Sequence, residues 1–303
     1  MRETIRIAAA ISMAVFVPVA WPASPATTLP IPCLGSACAN GKFGASGFVS
    51  AGSATATQSG SKLTVNQTSN NATLNWQSFN ISADGTVQFV QPSATSVALN
   101  QINDANASQI LGALNANGRV FLINQNGIIF GAGAQVNVGG LVASTLNINP
   151  TAVTGGLIAP GSSGNAAFQA FANGTTGAVT INTGATLQTT AGGEILIFAP
   201  QISNEGTIST PGGQTLLAAG STIYLASSSD ASMRGLLVEV GGTGGTVTNG
   251  IAGNGAATSP EQLVGQIIAE RGNITLAGLA VNQLGRVSAT TSINENGSIR
   301  LQA

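Results

Sequence analysis

The chain has 303 residues and a net charge of −1, with only 6% of its residues charged. So few Lys and Arg exclude a nucleic-acid binder built on a basic face, which needs clustered cations to neutralise phosphates. The absence of histidine removes Ser-His-Asp and Cys-His catalysis and the commonest metal ligand. Apolar residues at 43% and 40 glycines supply core material and sharp-turn positions, so disorder is not expected.

Residues 1–26 read as an export signal. Arg2 and Arg6 precede an apolar stretch from Ile7 to Trp21, and Ser24 and Ala26 are small residues suited to cleavage. A membrane anchor is the competing reading, but a span needs about 20 apolar residues and Pro18 interrupts this stretch. Residues 27–40 read as a short linker carrying Cys33 and Cys38, the only two cysteines. Two cysteines without histidine cannot complete a four-ligand zinc site, and an exported chain favours a disulfide between them. Its loop is tiny, so the bridge is expected to stabilise little and not to block threading through a pore.

Beyond the linker a five-residue pattern recurs: Gly, any residue, Ile/Val/Thr, any residue, then Leu/Phe/Ile. It starts at Gly85, Gly118, Gly193, Gly213, Gly272 and Gly297, with gaps of 33, 75, 20, 59 and 25 residues. Several gaps approximate multiples of 20 to 25, a solenoid period. The clearest pair is GGEILIFAP (192–200) and GGQTLLAAG (212–220), offset by 20. One such turn cannot bury its inward row alone; stacking turns at about 4.8 Å pairs every strand and closes a core. Outward positions are expected to be Thr, Ser, Gln and Asn. Residues from about 40 onward would then form ten to twelve coils, a rod of order 50 Å. A β-sandwich of the same short strands is the alternative. Two short helices are expected within the stack. In 259–272, Ser259 caps, Pro260 enters the first turn, Gln262 completes a capping box and Gly272 stops the helix. In 103–118, Ile110, Leu111 and Leu114 form an apolar face.

Two ordered runs carry a family resemblance. NATLNWQSFNISADGTVQFVQPSATSVALNQI (71–102) and SQILGALNANGRVFLINQNGIIFGAGAQVNVGGLVAST (108–145) resemble the N-terminal secretion domain of filamentous haemagglutinins, which are exported by two-partner secretion (TPS). Asn124-Gln125-Asn126-Gly127-Ile128 resembles the family motif NPNGI with glutamine in place of proline; no copy of the second motif, NPNL, is found. The resemblance implies a secretion role for these five residues, by contact with a transporter or as a folding corner. Gln125 gives up proline's φ restraint, while Asn-Gly is a strong turn dipeptide. It further implies an all-β, single-stranded right-handed parallel β-helix with an N-terminal cap and an extrahelical hairpin. The expected division is a secretion domain over 41–258, then a short helix and further coils over 259–303. The strand Gly297-Ser-Ile-Arg-Leu-Gln-Ala303 has no capping feature after it, so a longer exoprotein is expected.

Catalytic chemistry is not expected. The acidic residues outside the signal, among them Asp84, Asp104, Glu194, Glu205 and Glu239, form no close pair, and glycosidase chemistry needs two carboxyls. The serine run at 226–229 lacks a base. No metal or organic cofactor is expected. The resemblance implies as partners a cognate outer-membrane β-barrel transporter with POTRA domains and a host or bacterial surface receptor. It also implies passage through the periplasm to the cell surface of a Gram-negative bacterium. An adhesin-like exoprotein leads; the N-terminal part of a contact-dependent growth-inhibition toxin and a β-helix carbohydrate-active enzyme are the alternatives.

Overall fold

The computed structural model describes residues 27–154, 157, 165–172, 174, 176–227, 235–242, 244–251, 265–289 and 298–302. The chain winds as a three-faced parallel β-helix. Each coil crosses face one, then face two, then face three, and the next coil lies on top in register. Eight parallel strands form face one: Asn71–Ser78, Val97–Ile102, Arg119–Ile123, Gly140–Ser144, Glu194–Ala199, Gln214–Ala219, Asn273–Ala277 and Ser298–Gln302. Face two has six strands, from Ser108–Ile110 to Ala280–Gln283. Face three has nine, of which the outermost, Ala54–Ser59, pairs antiparallel with Lys62–Gln67. The β-sandwich is thereby excluded.

Alternation builds the inner core. On face one Ile195, Ile197, Leu217, Ile274 and Leu276 point inward beside Leu187 and Ile208 of face three and Val179, Ile202 and Val247 of face two. Each fully buried side chain of this size contributes roughly 1.5–3 kcal/mol. The opposite side of face one is not solvated. Leu99, Phe121, Leu196, Phe198 and Leu216 point outward into a second core. An extrahelical antiparallel sheet of Asn147–Ile148, Phe168–Gln169, Thr222–Ser227 and Leu236–Gly241 covers them. Phe168 meets Phe198 at 4.5 Å between ring centroids. Burial on both sides explains the unbroken apolar run from Ile195 to Ala199, as in other doubly covered parallel strands. The expectation of polar outward positions fails on this face for that reason.

A column of glycines sets the corner between faces three and one. Gly118, Gly139, Gly193, Gly213 and Gly272 stack, and from Gly139 upward a Cβ on each would fall against the carbonyl oxygen of the glycine below. For Gly139 that approach would be 2.8 Å. The recurrent Gly is therefore a close-packing residue, needed because successive backbones nearly touch.

The N-terminal end is closed by Ile31–Pro32 and Val49–Ala51, both antiparallel to Asn71–Ser78. Trp76 fills this cap, donating its indole N–H to Asn100 Oδ1 at 2.8 Å and meeting Phe48 and Phe79 edge-on. The stretch 27–40 is thus part of the cap, not a linker: Leu29 and Cys33 are buried in it.

Three further expectations are corrected. Residues 103–118 are not helical; they hold the strands Ser108–Ile110 and Ala113–Ala116. Ile110, Gly112, Leu114 and Ala116 are all buried at period two, and Gly112, poor in a helix, packs on the Gly85 carbonyl. Coil stacking offers ladder bonds on both sides, which outweigh a weak local helical pattern. Within 259–272, Gln266–Ile268 is a strand of face three; residues 259–264 lie outside the described residues. The described helix is instead Pro150–Thr154, in the excursion that leads into the extrahelical sheet. Finally, the gap from Gly118 to Gly193 holds two coils and the gap from Gly213 to Gly272 only one, lengthened by excursions off the stack. Undisturbed coils take 20 to 26 residues. Eight strands on face one make a stack of about 34 Å, shorter than expected. The segment 1–26 lies outside the described residues.

Candidate functional site

Residues 124–128 form the corner between Arg119–Ile123 of face one and Ile128–Phe130 of face two. Asn124 shapes it: its side-chain Oδ1 accepts the Asn126 N–H at 3.0 Å, and its carbonyl accepts the Gly127 N–H at 3.1 Å. Gly127 adopts φ +121°, a region in which a side chain is strained. Ile128 is buried in the inner core.

The corner is sealed between neighbouring coils. Below it runs 103–108, the equivalent corner of the preceding coil. Asn126 Nδ2 donates to the Asp104 carbonyl at 2.6 Å. Asn124 Nδ2 donates to the Asn106 carbonyl at 3.1 Å and to Ser108 Oγ at 3.0 Å. The Ser108 N–H donates to the Gly127 carbonyl at 3.0 Å. Above it, the Gly177 N–H donates to the Gln125 carbonyl at 2.7 Å and the Ile128 N–H to the Ala178 carbonyl at 3.1 Å. Gly177 is pressed on the Asn126 peptide, with no room for a Cβ. Asn124, Gln125 and Gly127 are buried, and Asn126 is partly covered. The structure thus brings all five motif residues into one closed turn.

The supporting layer Asp104, Asn106 and Ser108 was not singled out from sequence, because 103–118 reads as a helix there. The signal was present in the density of Asn, Asp and Ser, residues that compete with helix by bonding local backbone. Asp104 Oδ1 accepts the Asn106 N–H at 2.9 Å, an Asx turn that fixes this layer.

Cys33 and Cys38 are joined by a disulfide with Cα atoms 5.6 Å apart, and both are buried in the cap. Nearby, burial pushes the Lys42 ammonium below its ordinary pKa while Asp104 pulls it back up. The hydroxyls of Thr27 and Ser82 donate to Asp84 and hold its carboxyl below the usual range. Glu194 lies in register with Gln214 on the next coil, so the stacked position carries one carboxylate. Among the described residues no group of three or more Cys, Asp or Glu could hold a metal ion.

A family model described as the TPS secretion domain matches residues 45–301. The chain belongs to the TPS secretion domain family. This TPS domain superposes on the HMW1 secretion domain of Haemophilus influenzae with a TM-score of 0.68 and 28% identity, over 84% of this chain and 61% of that one. Two heme/hemopexin-binding proteins of Haemophilus influenzae are similar to it, at 44% identity over 97 residues and 46% over 87. These stretches cover 32% and 29% of this chain but 11% and 9% of those proteins. The family is a secretion domain of two-partner secretion exoproteins, not a catalytic one. Among the described residues no helix is long and apolar enough to cross a membrane.

Proposed function

We propose that this TPS domain targets an exported, adhesin-like exoprotein of a Gram-negative bacterium to its cognate outer-membrane β-barrel transporter. Residues 1–26 would start export into the periplasm; POTRA domains of the transporter would receive the chain; the cap and first coils would template β-helix folding at the surface. The observation that carries the reading is the family match across 45–301. The two heme/hemopexin-binding relatives share about a tenth of their length with this chain, so what carries over from them is export rather than a ligand.

Within this function, residues 124–128 act as a folding corner. Burial of Asn124 and Gln125 supports that role over direct reading of their side chains by the transporter on the folded domain. A corner that fails to close would also stop the coils above it from stacking, so defective folding and defective export go together. Co-expression with the cognate transporter tests this. Asn126→Ala and Gly127→Val should leave the protein in the periplasm, where it is degraded; full surface export of both variants would overturn the role.

A further inference from the structure

We propose that Asn103 and the Cys33–Cys38 disulfide form one brace that positions the 124–128 corner, so that oxidation of the cap sets how firmly the corner is held. Its consequence for export rests on the function proposed above.

The contacts run in an unbroken chain. Asn103 Oδ1 accepts the Phe43 N–H at 3.2 Å, while its Nδ2 lies 3.8 Å from Cys33 Sγ and 3.3 Å from the Trp76 carbonyl. Gly41 rides directly on the Asn103 side chain, so that a Cβ there would fall on its Oδ1. The next residue, Asp104, presents its carbonyl to Asn126 Nδ2, and Asn106 and Ser108 receive Asn124 Nδ2. Only the backbone of residues 103–104 therefore separates the disulfide loop from the motif. Lys42, just beyond the disulfide loop, has Asp104 as its charged neighbour.

The loop itself needs the crosslink. Between two anchors, the Cys33 N–H on the Asn75 carbonyl at 3.0 Å and the Cys38–Ala45 bridge, its backbone bonds are local turns: Ala37 N–H to Leu34, Ala39 N–H to Ser36, Gly41 N–H to Cys38 and Gly44 N–H to Gly41. A stretch held by isolated turns between two anchors still has competing shapes, and a covalent bridge removes them without adding a contact. A small bridge of this kind does little for the whole fold, but much for the segment that presses on Asn103. Asn103 is a positioning residue in this scheme, since it touches the motif only through Asp104.

The redox step is an exchange of two electrons. The Cys33 and Cys38 thiols give up two protons and two electrons to a disulfide oxidant of the exported compartment, which leaves as a dithiol. Dithiothreitol reverses it, supplying both electrons and protons and closing to its own cyclic disulfide.

Amide hydrogen exchange on the full oxidised chain tests the brace. Three perturbed forms are compared with it: the Cys33→Ser/Cys38→Ser double variant, Asn103→Ala with the disulfide intact, and wild type reduced with dithiothreitol. Residues 103–108 and 124–128 should exchange at least tenfold faster in all three, while 194–199 and 214–219 change less than twofold. Faster exchange confined to 33–45, or a uniform rise across all segments, would overturn the brace. If the double variant does not fold, the reduced wild type and Asn103→Ala still decide the matter. Export is then measured with the cognate transporter. Unchanged exchange at 124–128 rejects the brace whatever export does. Faster exchange with full export upholds the brace and rejects instead the export role of the corner.

Discussion

At the scale of single residues, this fold depends on places where nothing fits. At Gly213 a methyl group would fall on the Gly193 carbonyl. Gly213→Ala should therefore destabilise by roughly 1–3 kcal/mol, as overpacking does, measured by urea unfolding. Gly47, with open space around it, provides the control, and Gly47→Ala should be close to neutral. Arg271 takes a left-handed φ of 57°, at the corner position where the coils below carry Gly192 at 81° and Gly212 at 65°. Asparagine tolerates this conformation better than other side chains, so Arg271→Asn should stabilise by about 0.5 kcal/mol. Asp84 gives a pH signature. Its folded pKa is depressed, first by Thr27 and then by Ser82, so its contribution is complete above the unfolded value of about 4 and is lost as pH falls through the folded value. A nuclear magnetic resonance titration should find the Asp84 carboxyl titrating below ordinary aspartates, with the Thr27 and Thr28 resonances moving in step. An unshifted Asp84 would mean that these hydroxyls do not hold it in solution.

At the scale of elements, the contrast lies between strands that stack and segments that leave the stack. The extrahelical sheet is anchored on face one chiefly through Phe168, Ile223 and Phe198, all fully buried. Phe168→Ala should cost about 3–5 kcal/mol, the usual range for a buried aromatic, and should expose the outer side of face one to a hydrophobic dye before the inner core opens. A loss of inner and outer packing at the same denaturant concentration would show that the two cores form one cooperative unit. Polar side chains also stack. Asn204 donates to Asn249 at 2.7 Å, and Asn249 to Gln283 at 3.0 Å. Such amide ladders pair buried Nδ2 groups with acceptors on the next coil and help to hold register, although Asn204 Oδ1 is left buried without a partner among the described residues. The 124–128 corner belongs with them: its amides bond to the coil below and its backbone to the coil above.

At the scale of the whole molecule, each coil contacts its neighbours and the chain has no central layer, the quasi-one-dimensional arrangement of solenoids. Far-ultraviolet circular dichroism should accordingly give a β spectrum with almost no helical component, since the described helix is the single five-residue turn Pro150–Thr154. A helix-rich spectrum would refute the stacked architecture. Low charge is compatible with this design, because exposed Thr, Ser, Asn and Gln hydrate the outer faces and the backbone ladders need no ion pairs.

Much of this architecture was legible in the amino-acid sequence. The Gly-x-Ile/Val/Thr-x-Leu/Phe/Ile pattern marks the start of face one in five of its six occurrences, and the offset of 20 between Glu194–Ala199 and Gln214–Ala219 is one undisturbed coil. Two long ordered runs and the Asn124–Ile128 turn sufficed to point to the TPS family. Local sequence could not decide segments whose partners lie a coil away. Residues 103–118 carry apolar spacing compatible with helix and with strand, and only the bonds offered by adjacent coils select strand. The excursions after Gly140–Ser144 and Gln214–Ala219 break the period, so counting gaps overestimates coils. The support beneath the motif comes from Asn103 to Ser108, some twenty residues away, and becomes visible only once one coil lies on the next. The sequence by itself determined the strand rows, the corner chemistry and the family, because these rest on short-range periodicity and turn-forming residues. The tertiary structure decided what covers face one and what holds the corner, because both depend on contacts between segments that the chain brings together only by coiling.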